Sequence, residues 1–190
     1  MADLEERANV VASGSRQAGA GVPVRRRRVT DLAECVRLLG DVHATDGYPV
    51  DWPDRPAAWL APEGLLAAWV AEADARVLGH VALSRSTPGD AAPVLWSRRT
   101  GARPELTAVV NRLYVSPAAR GRGVGARLLA NALTHARALG LHPVLDVLAT
   151  DTAAVACYRR LGWTWLGSVD QQWGGGRTVV VHCFAAPREP

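Results

Sequence analysis

Hydrophobic positions along the chain switch repeatedly between the two-residue period of a strand and the 3.6-residue period of a helix. The clearest switch lies between Leu106 and Ala138. Leu106 to Val115 is rich in Val and Leu, with Tyr114 near its end, which is the composition of a buried strand. Ser116 and Pro117 stop it, because Pro brings no N–H to a central ladder. Val124, Leu128, Leu129, Ala132, Leu133 and Ala136 then fall on one helical face, so a helix runs to Ala138. Between strand and helix a turn holds Arg120, Gly121, Arg122, Gly123 and Gly125. A Gly- and Arg-rich turn that opens a helix is an anion site: the first-turn N–H groups have no intrahelical partner and the helix dipole favours negative charge.

The same reading assigns the other elements. Val24 to Val29 is a first strand. Thr30 caps an amphipathic helix, Asp31 to Val42, with Leu32, Cys35, Val36, Leu38 and Leu39 on its apolar side. Ala44 to Pro62 is irregular, broken by four prolines, with a short helix from Arg55 to Leu60. Its His43 neighbour and its Asp46, Tyr48, Asp51, Trp52, Asp54 and Trp59 form either a binding wall or a packed lid. Leu65–Ala71 and Arg76–Arg85 make an antiparallel hairpin, and Gly79 marks a bulge or a close approach. Ser86 to Pro104 reads as a long irregular loop. Gly140 closes the central helix. Val144–Leu148 is a strand and Thr152–Leu161 a helix capped by Thr150 or Asp151. Trp163–Val169 and Thr178–Phe184 are strands joined by a turn, Asp170–Arg177, and Ala185 to Pro190 reads as frayed. The order β-α-(α)-β-β-β-α-β-α-β-β predicts an α+β fold with a mixed, largely antiparallel central sheet flanked by helices, not a repeating βαβ fold. The expected layout is a flexible segment at 1–23, one domain at 24–185 and a tail at 186–190.

Composition narrows the class. The 190 residues are 48% hydrophobic and 21% charged, with a formal net charge of +4, an ordinary globular balance. The local clusters, Arg25–Arg28 and the Arg98–Arg122 region, fit an acidic small ligand at least as well as nucleic acid. Four consecutive arginines are either a nucleic-acid patch or a charge-protected edge strand. No run has the length of a membrane span, and residues 1–21 lack a signal pattern. Cys35, Cys157 and Cys183 are widely spaced and odd in number, which argues for a reducing, cytoplasmic setting without disulfides or a zinc knot. The five histidines have no metal-ligand spacing, so no metal is expected. The glycine spacing at 121, 123 and 125 is not that of a dinucleotide fold, and no Gly-Lys-Ser or Gly-Lys-Thr is present.

What remains, Arg120-Gly-Arg-Gly-Val-Gly125 after Leu113-Tyr-Val-Ser-Pro117, closely resembles the pyrophosphate-binding motif of the GCN5-related N-acetyltransferase (GNAT) family. Asp151-Thr-Ala-Ala-Val-Ala-Cys-Tyr158-Arg-Arg-Leu-Gly162-Trp163 resembles that family's second motif, with Asp151 where the family commonly has Asn. The resemblance implies an acyl-CoA N-acyltransferase-like fold with a splayed central strand pair. Acetyl-CoA would be the cosubstrate, its pantetheine arm between the strands against Leu113, Tyr114 and Val115. Its pyrophosphate would meet Arg120, Gly121, Arg122, Gly123, Val124, Gly125 and Ala126, and Asp151, Ala154 and Tyr158 would line the coenzyme. The implied activity is acetyl transfer to the primary amine of a small molecule by direct attack. A protein amine, another acyl-CoA and a non-catalytic acetyl-CoA sensor are the alternatives.

The resemblance also makes Tyr158 the general acid, against a reading in which its hydroxyl only binds coenzyme. The base is less defined. Thr107 to Val110 offers no carboxylate, so Glu105, at the start of the strand, is the single choice for base or ammonium binder, with a water relay as the alternative. Asp146 inside an apolar strand needs a partner or a place in the cleft. His80 is either structural or reaches the cleft. Cys157 is a small hydrophobe unless a nearby base activates it. Trp52, Trp59, Trp96 and Trp173 line either an acceptor pocket or the interface of a homodimer. No nucleic-acid or membrane partner is expected.

Overall fold

The computed structural model describes residues 21–173 and 176–188. The strands are β1 (Val24–Arg26), β2 (Leu65–Ala73), β3 (Arg76–Arg85), β4 (Thr107–Val115), β5 (His142–Leu148), β6 (Thr164–Trp173) and β7 (Arg177–Ala185). The helices are α1 (Leu32–Asp46), α2 (Pro56–Leu60), α3 (Ala91–Thr100), α4 (Val124–Ala138) and α5 (Thr152–Arg160). The strands form one sheet in the order β1-β2-β3-β4-β5-β7-β6. Every neighbouring pair is antiparallel except β4 and β5, which run parallel. The expected α+β architecture is therefore the one observed. Most of the flexible segment expected at 1–23 lies outside the described residues.

Alternation sends side chains to two layers. On one face α4 packs Val124, Leu128, Leu129, Ala132 and Ala136 against Val81, Leu83, Val110 and Leu145, together with Val155 and Tyr158 of α5. Gly79 lets α4 approach β3: a Cβ there would lie 2.9 Å from Leu128 Cδ1 and 3.1 Å from Tyr114 O. The opposite face is covered in two halves. Cys35, Leu38, Leu39 and Val42 of α1 and Leu60 of α2 pack on Val70, Val77 and Tyr114. Ala92, Leu95 and Trp96 of α3 pack on Val109, Val144, Val181 and Cys183. The first half thus sits on β2, β3 and the end of β4, and the second on the start of β4, β5 and β7.

Several elements differ from expectation. Helix α3 occupies the stretch expected to be a loop. Its apolar signal, Ala92, Leu95 and Trp96, is short, and Pro93 sits in the first turn, where proline is tolerated. Its N-terminal amides are satisfied from across the fold: Ala92 N–H donates to Asp146 Oδ1 at 3.0 Å. Asp146 is thus neither a cleft carboxylate nor half of a salt bridge; it closes a helix start where negative charge is favoured. Strand β6 continues to Trp173 through residues expected to turn. Ala185 and Ala186, expected to fray, are buried, and Ala186 N–H donates to Pro143 O at 2.9 Å.

The arginine run is drawn into the fold. Arg25 pairs with Asp31 and Glu72, Arg26 stacks on Trp69 at 4.6 Å, and Arg27 donates to Leu60 O at 2.7 Å. Neither a nucleic-acid patch nor a merely solvated edge describes these three.

Replacing Asp146 with Ala leaves the first amides of α3 without an acceptor. The expected loss is about 1–2 kcal/mol, read as a lower urea midpoint at unchanged slope. An unchanged midpoint would show that the cap carries nothing.

Candidate active site

Strands β4 and β5 pair only at Thr107, Ala108 and Val109, opposite His142, Pro143 and Val144. Past Val109 they separate, although β4 runs on to Val115 and β5 to Leu148. The β5-facing edge of β4 is therefore without a strand partner along its second half, and its backbone groups face an opening in the sheet. The cause lies in β4. His80 pairs with Tyr114 and Ala82 with Asn111, so one residue of β3 spans two of β4. The extra residue bends the strand. Arg112, in this bulge, has φ +52°, a left-handed conformation that side chains rarely adopt.

His80 holds the bulge. It is fully buried. Its Nδ1–H donates to Arg112 O at 2.9 Å, and its Nε2 accepts from Arg27 Nη1 at 3.0 Å. These partners assign the neutral Nδ1–H tautomer. Burial, with Arg27 and Arg112 nearby, pushes the imidazole down to about 3, so it stays uncharged at neutral pH. The ring stacks on Tyr114 at 5.2 Å, and Tyr114 Oη donates to Cys35 O at 3.0 Å. His80 is structural and does not reach the cleft as a base.

The anion turn sits at the end of this strand. Gly121 and Gly123 have φ +73° and +74° with nothing within 4 Å of a built Cβ, and Gly125 lies flat against Val115. Arg127 N–H donates to Gly123 O at 3.1 Å. Among the described residues the amides from Gly121 to Ala126 have no acceptor, so they converge as a nest with the α4 dipole behind them. Arg120 forms a bidentate pair with Asp46 at the end of α1. It ties α1 to the turn, while Arg122 is exposed beside it.

Two tyrosines from opposite layers lie within electrostatic range of each other. Tyr158 belongs to the α4–α5 layer, packed against Trp163 and Phe184. Tyr48 belongs to the α1–α2 layer, beside Trp59 and Tyr114. Burial, then Tyr48, Cys157 and Asp151, raises the Tyr158 phenol above its ordinary value, and burial pushes Tyr48 up to about 12. Both are protonated donors at neutral pH. The Tyr158 hydroxyl has no hydrogen-bond partner among the described residues. Asp151 caps α5, accepting from Ala154 N–H at 2.9 Å.

Residues 33–163 match the family model described as "Acetyltransferase (GNAT) family". The chain belongs to the GNAT acetyltransferase family. It is 32% identical over 157 residues to the L-methionine sulfoximine/L-methionine sulfone acetyltransferase of Pseudomonas aeruginosa, covering 78% of this chain and 83% of the relative. It is 35% identical over 120 residues to the mycothiol acetyltransferase of Geodermatophilus obscurus, covering 63% of this chain but 34% of the relative. The chain thus spans about a third of the length of that longer protein. In fold it is similar to yncA from Salmonella typhimurium, solved with its cofactor acetyl-CoA. That match has TM-score 0.62 and 22% identity, over 86% of this chain and 91% of that one.

Within this GNAT chain the expected site residues divide. Leu113, Tyr114 and Val115 lie on the half of β4 that has no β5 partner, Gly121 to Ala126 on the turn and first residues of α4, and Asp151, Ala154 and Tyr158 at and along α5. Glu105 does not join them. It is exposed on a 3-10 turn, Pro104–Leu106, ahead of the paired end of β4. At strand rise, seven residues separate it from Arg112 by roughly 23 Å. The four tryptophans do not share a pocket either. Trp52 lies on His43, Trp59 under Arg112, and Trp96 on His142 at 5.2 Å. Trp173 joins the α3 core. Of the acidic wall, Asp46 is taken by Arg120 and Asp51 by Arg177. Arg112 itself went unread, though a charged residue inside an apolar strand was its signal.

His80 also gives an acid-stability signature. Its pKa lies below the unfolded ~6.5, so the unfolded chain binds more protons between pH 6.5 and 3, and stability falls as pH drops through that window. His135 and His142, also lowered, add in the same direction. Thermal melts should be flat above pH 7 and lose Tm from pH 6.5 to 4.5. His80→Gln, which keeps both hydrogen bonds, should flatten that fall. An equal fall in both proteins removes His80 as its source.

Proposed function

We propose that this protein transfers the acetyl group of acetyl-CoA to the primary amine of a small molecule within a ternary complex. The observation that carries the reading is the parting of β4 from β5 directly ahead of the unpaired amides of α4. It supplies an extended slot for a pantetheine arm that ends on an anion nest for a pyrophosphate. The small-molecule acceptor is supported by the relative of 32% identity, most of whose length is matched and whose name records an amino-acid-like substrate.

The chemistry asks little of the protein. The amine nitrogen forms the new bond to the acetyl carbon and loses a proton, while the carbon–sulfur bond breaks and the sulfur takes a proton. Tyr158 is the donor toward the sulfur, because burial keeps its phenol protonated and its hydroxyl is free to bond a ligand. No carboxylate lies on β4 and His80 is sequestered, so water from the open cleft removes the amine proton.

Thiol release with acetyl-CoA across a panel of primary amines tests the reading. Coenzyme binding without release for any amine would leave a sensor. Tyr158→Phe should lower kcat by about 100-fold or more with the acetyl-CoA Kd nearly kept. Because its phenol lies above the ordinary ~10, wild-type kcat should show no descending alkaline limb between pH 7 and 10. Unchanged kcat in the variant would remove Tyr158 from the chemistry.

A further inference from the structure

Arg112 is a cation brought into the fold with no anion to meet it. Its Nη1 donates to Asn111 Oδ1 at 2.8 Å, and its guanidinium lies over the Trp59 ring at 4.7 Å. Its Nε is buried without an acceptor, and among the described residues it is the one buried side-chain polar atom in that state. Burial lowers its pKa, the Tyr48 hydroxyl raises it and Arg27 lowers it further, and no carboxylate is among these influences. Acids of the surrounding elements are engaged elsewhere: Asp46 by Arg120, Asp51 by Arg177, Asp151 by the α5 amide and Asp146 by the α3 amide. A partly desolvated guanidinium with an empty donor is costly unless something pairs with it.

The remaining donors have a defined shape. With Nη1 used and one face on Trp59, Nη2 is the nitrogen left for a ligand, beside an Nε that is closed to solvent. Nε–H and Nη2–H are parallel, so a carboxylate that reaches Nη2 approaches the edge on which it takes two hydrogen bonds once Nε is uncovered. The guanidinium is held in place, because Trp59 and Asn111 fix its plane and His80 holds the backbone carbonyl. Its place is also set: Arg112 occupies the bulge where β4 leaves β5, on the α1–α2 face. Tyr48 lies within electrostatic range of both Arg112 and Tyr158. An amine delivered to the opening from that face brings its other substituents past Arg112.

We infer that Arg112 is the specificity residue of the acceptor site, holding the carboxylate of an amine substrate so that its amino group is presented to the opening between β4 and β5. This rests on the acetyl-transfer reading above and narrows it to amines that also carry a carboxylate. The bulge does not need the side chain, since His80 bonds the main-chain oxygen. Substitution of Arg112 therefore separates substrate anchoring from folding.

The test compares L-amino acids with their carboxamides, which keep the amine and lose the anion. For wild type, kcat/KM should favour the acid over its own carboxamide by about 30-fold, the scale of a charge-assisted pair. In Arg112→Gln that ratio should collapse toward one, through KM for the acid, with kcat for the carboxamide and the acetyl-CoA Kd unchanged. Arg112→Lys, which keeps the charge but not the paired donors, should fall between. Calorimetry on CoA-loaded protein supplies a readout without turnover: the acid should bind, the carboxamide should not, and Arg112→Gln should lose the difference. Equal use and binding of acid and carboxamide by wild type overturns the proposal, even if the variants fail to fold. So does a variant that loses both substrates alike. Arg112-dependent binding of the acid with no CoA release for any amine would instead overturn the acetyl-transfer reading and leave the anchor standing.

Discussion

The site depends on one interrupted pairing. A parallel strand pair normally continues until one strand ends, yet β4 and β5 stop pairing after Val109 and Val144 while both strands run on. The extra residue at Arg112 bends β4, and the bend persists because a buried, uncharged histidine bonds the carbonyl of the strained residue. His80 is in turn satisfied from its far side by Arg27, whose other donor closes on the end of α2. A chain of polar contacts from Arg27, just after β1, through β3 to β4 thus holds open a gap in an otherwise continuous sheet. Both ring nitrogens of His80 and the Arg112 carbonyl are satisfied, which is the condition for a buried polar contact to specify one geometry.

The gap has two differently charged ends. Beyond β4 the turn and α4 collect unpaired amides and a helix dipole, suited to negative charge on one ligand. On the α1–α2 face Arg112 offers a second positive group in a drier setting. The acidic residues that surround these ends are paired with arginines from other elements, Asp46 with Arg120 and Asp51 with Arg177. These pairs are exposed and worth little to stability. Their effect is to link α1 and the segment after it to the α4 turn and to β7, on either side of the opening.

The half of the sheet beyond β5 is organised by a second long-range contact. Asp146 points from the middle of β5 to the start of α3, a helix that would otherwise begin on unsatisfied amides. That carboxylate and that helix account for each other. Read separately along the chain, one was a charge without a partner and the other a polar stretch without a strong period.

Local pattern was enough wherever an element's face and its stop signal lie close together. The alternation of β2 and β3, the stripe of α4, the Asp151 cap and the glycine turn depend on neighbours a few residues away, so the chain determined them by itself. The two motif resemblances added the family and the expectation of parted strands. Tertiary structure decided the rest, because it turned on partners far along the chain. The separation of β4 from β5 follows from a bulge that His80, thirty-two residues away, holds in place. The start of α3 is satisfied by Asp146, fifty-four residues off, and its apolar side is covered by β4, β5 and β7. Glu105 was the nearest carboxylate in sequence and lies at the wrong end of its strand, whereas Arg112 was one residue from Asn111 and became visible only once the fold left it without an anion. Charge can be counted in a sequence; whether a charge is paired depends on which segments meet, and only the folded chain decides that.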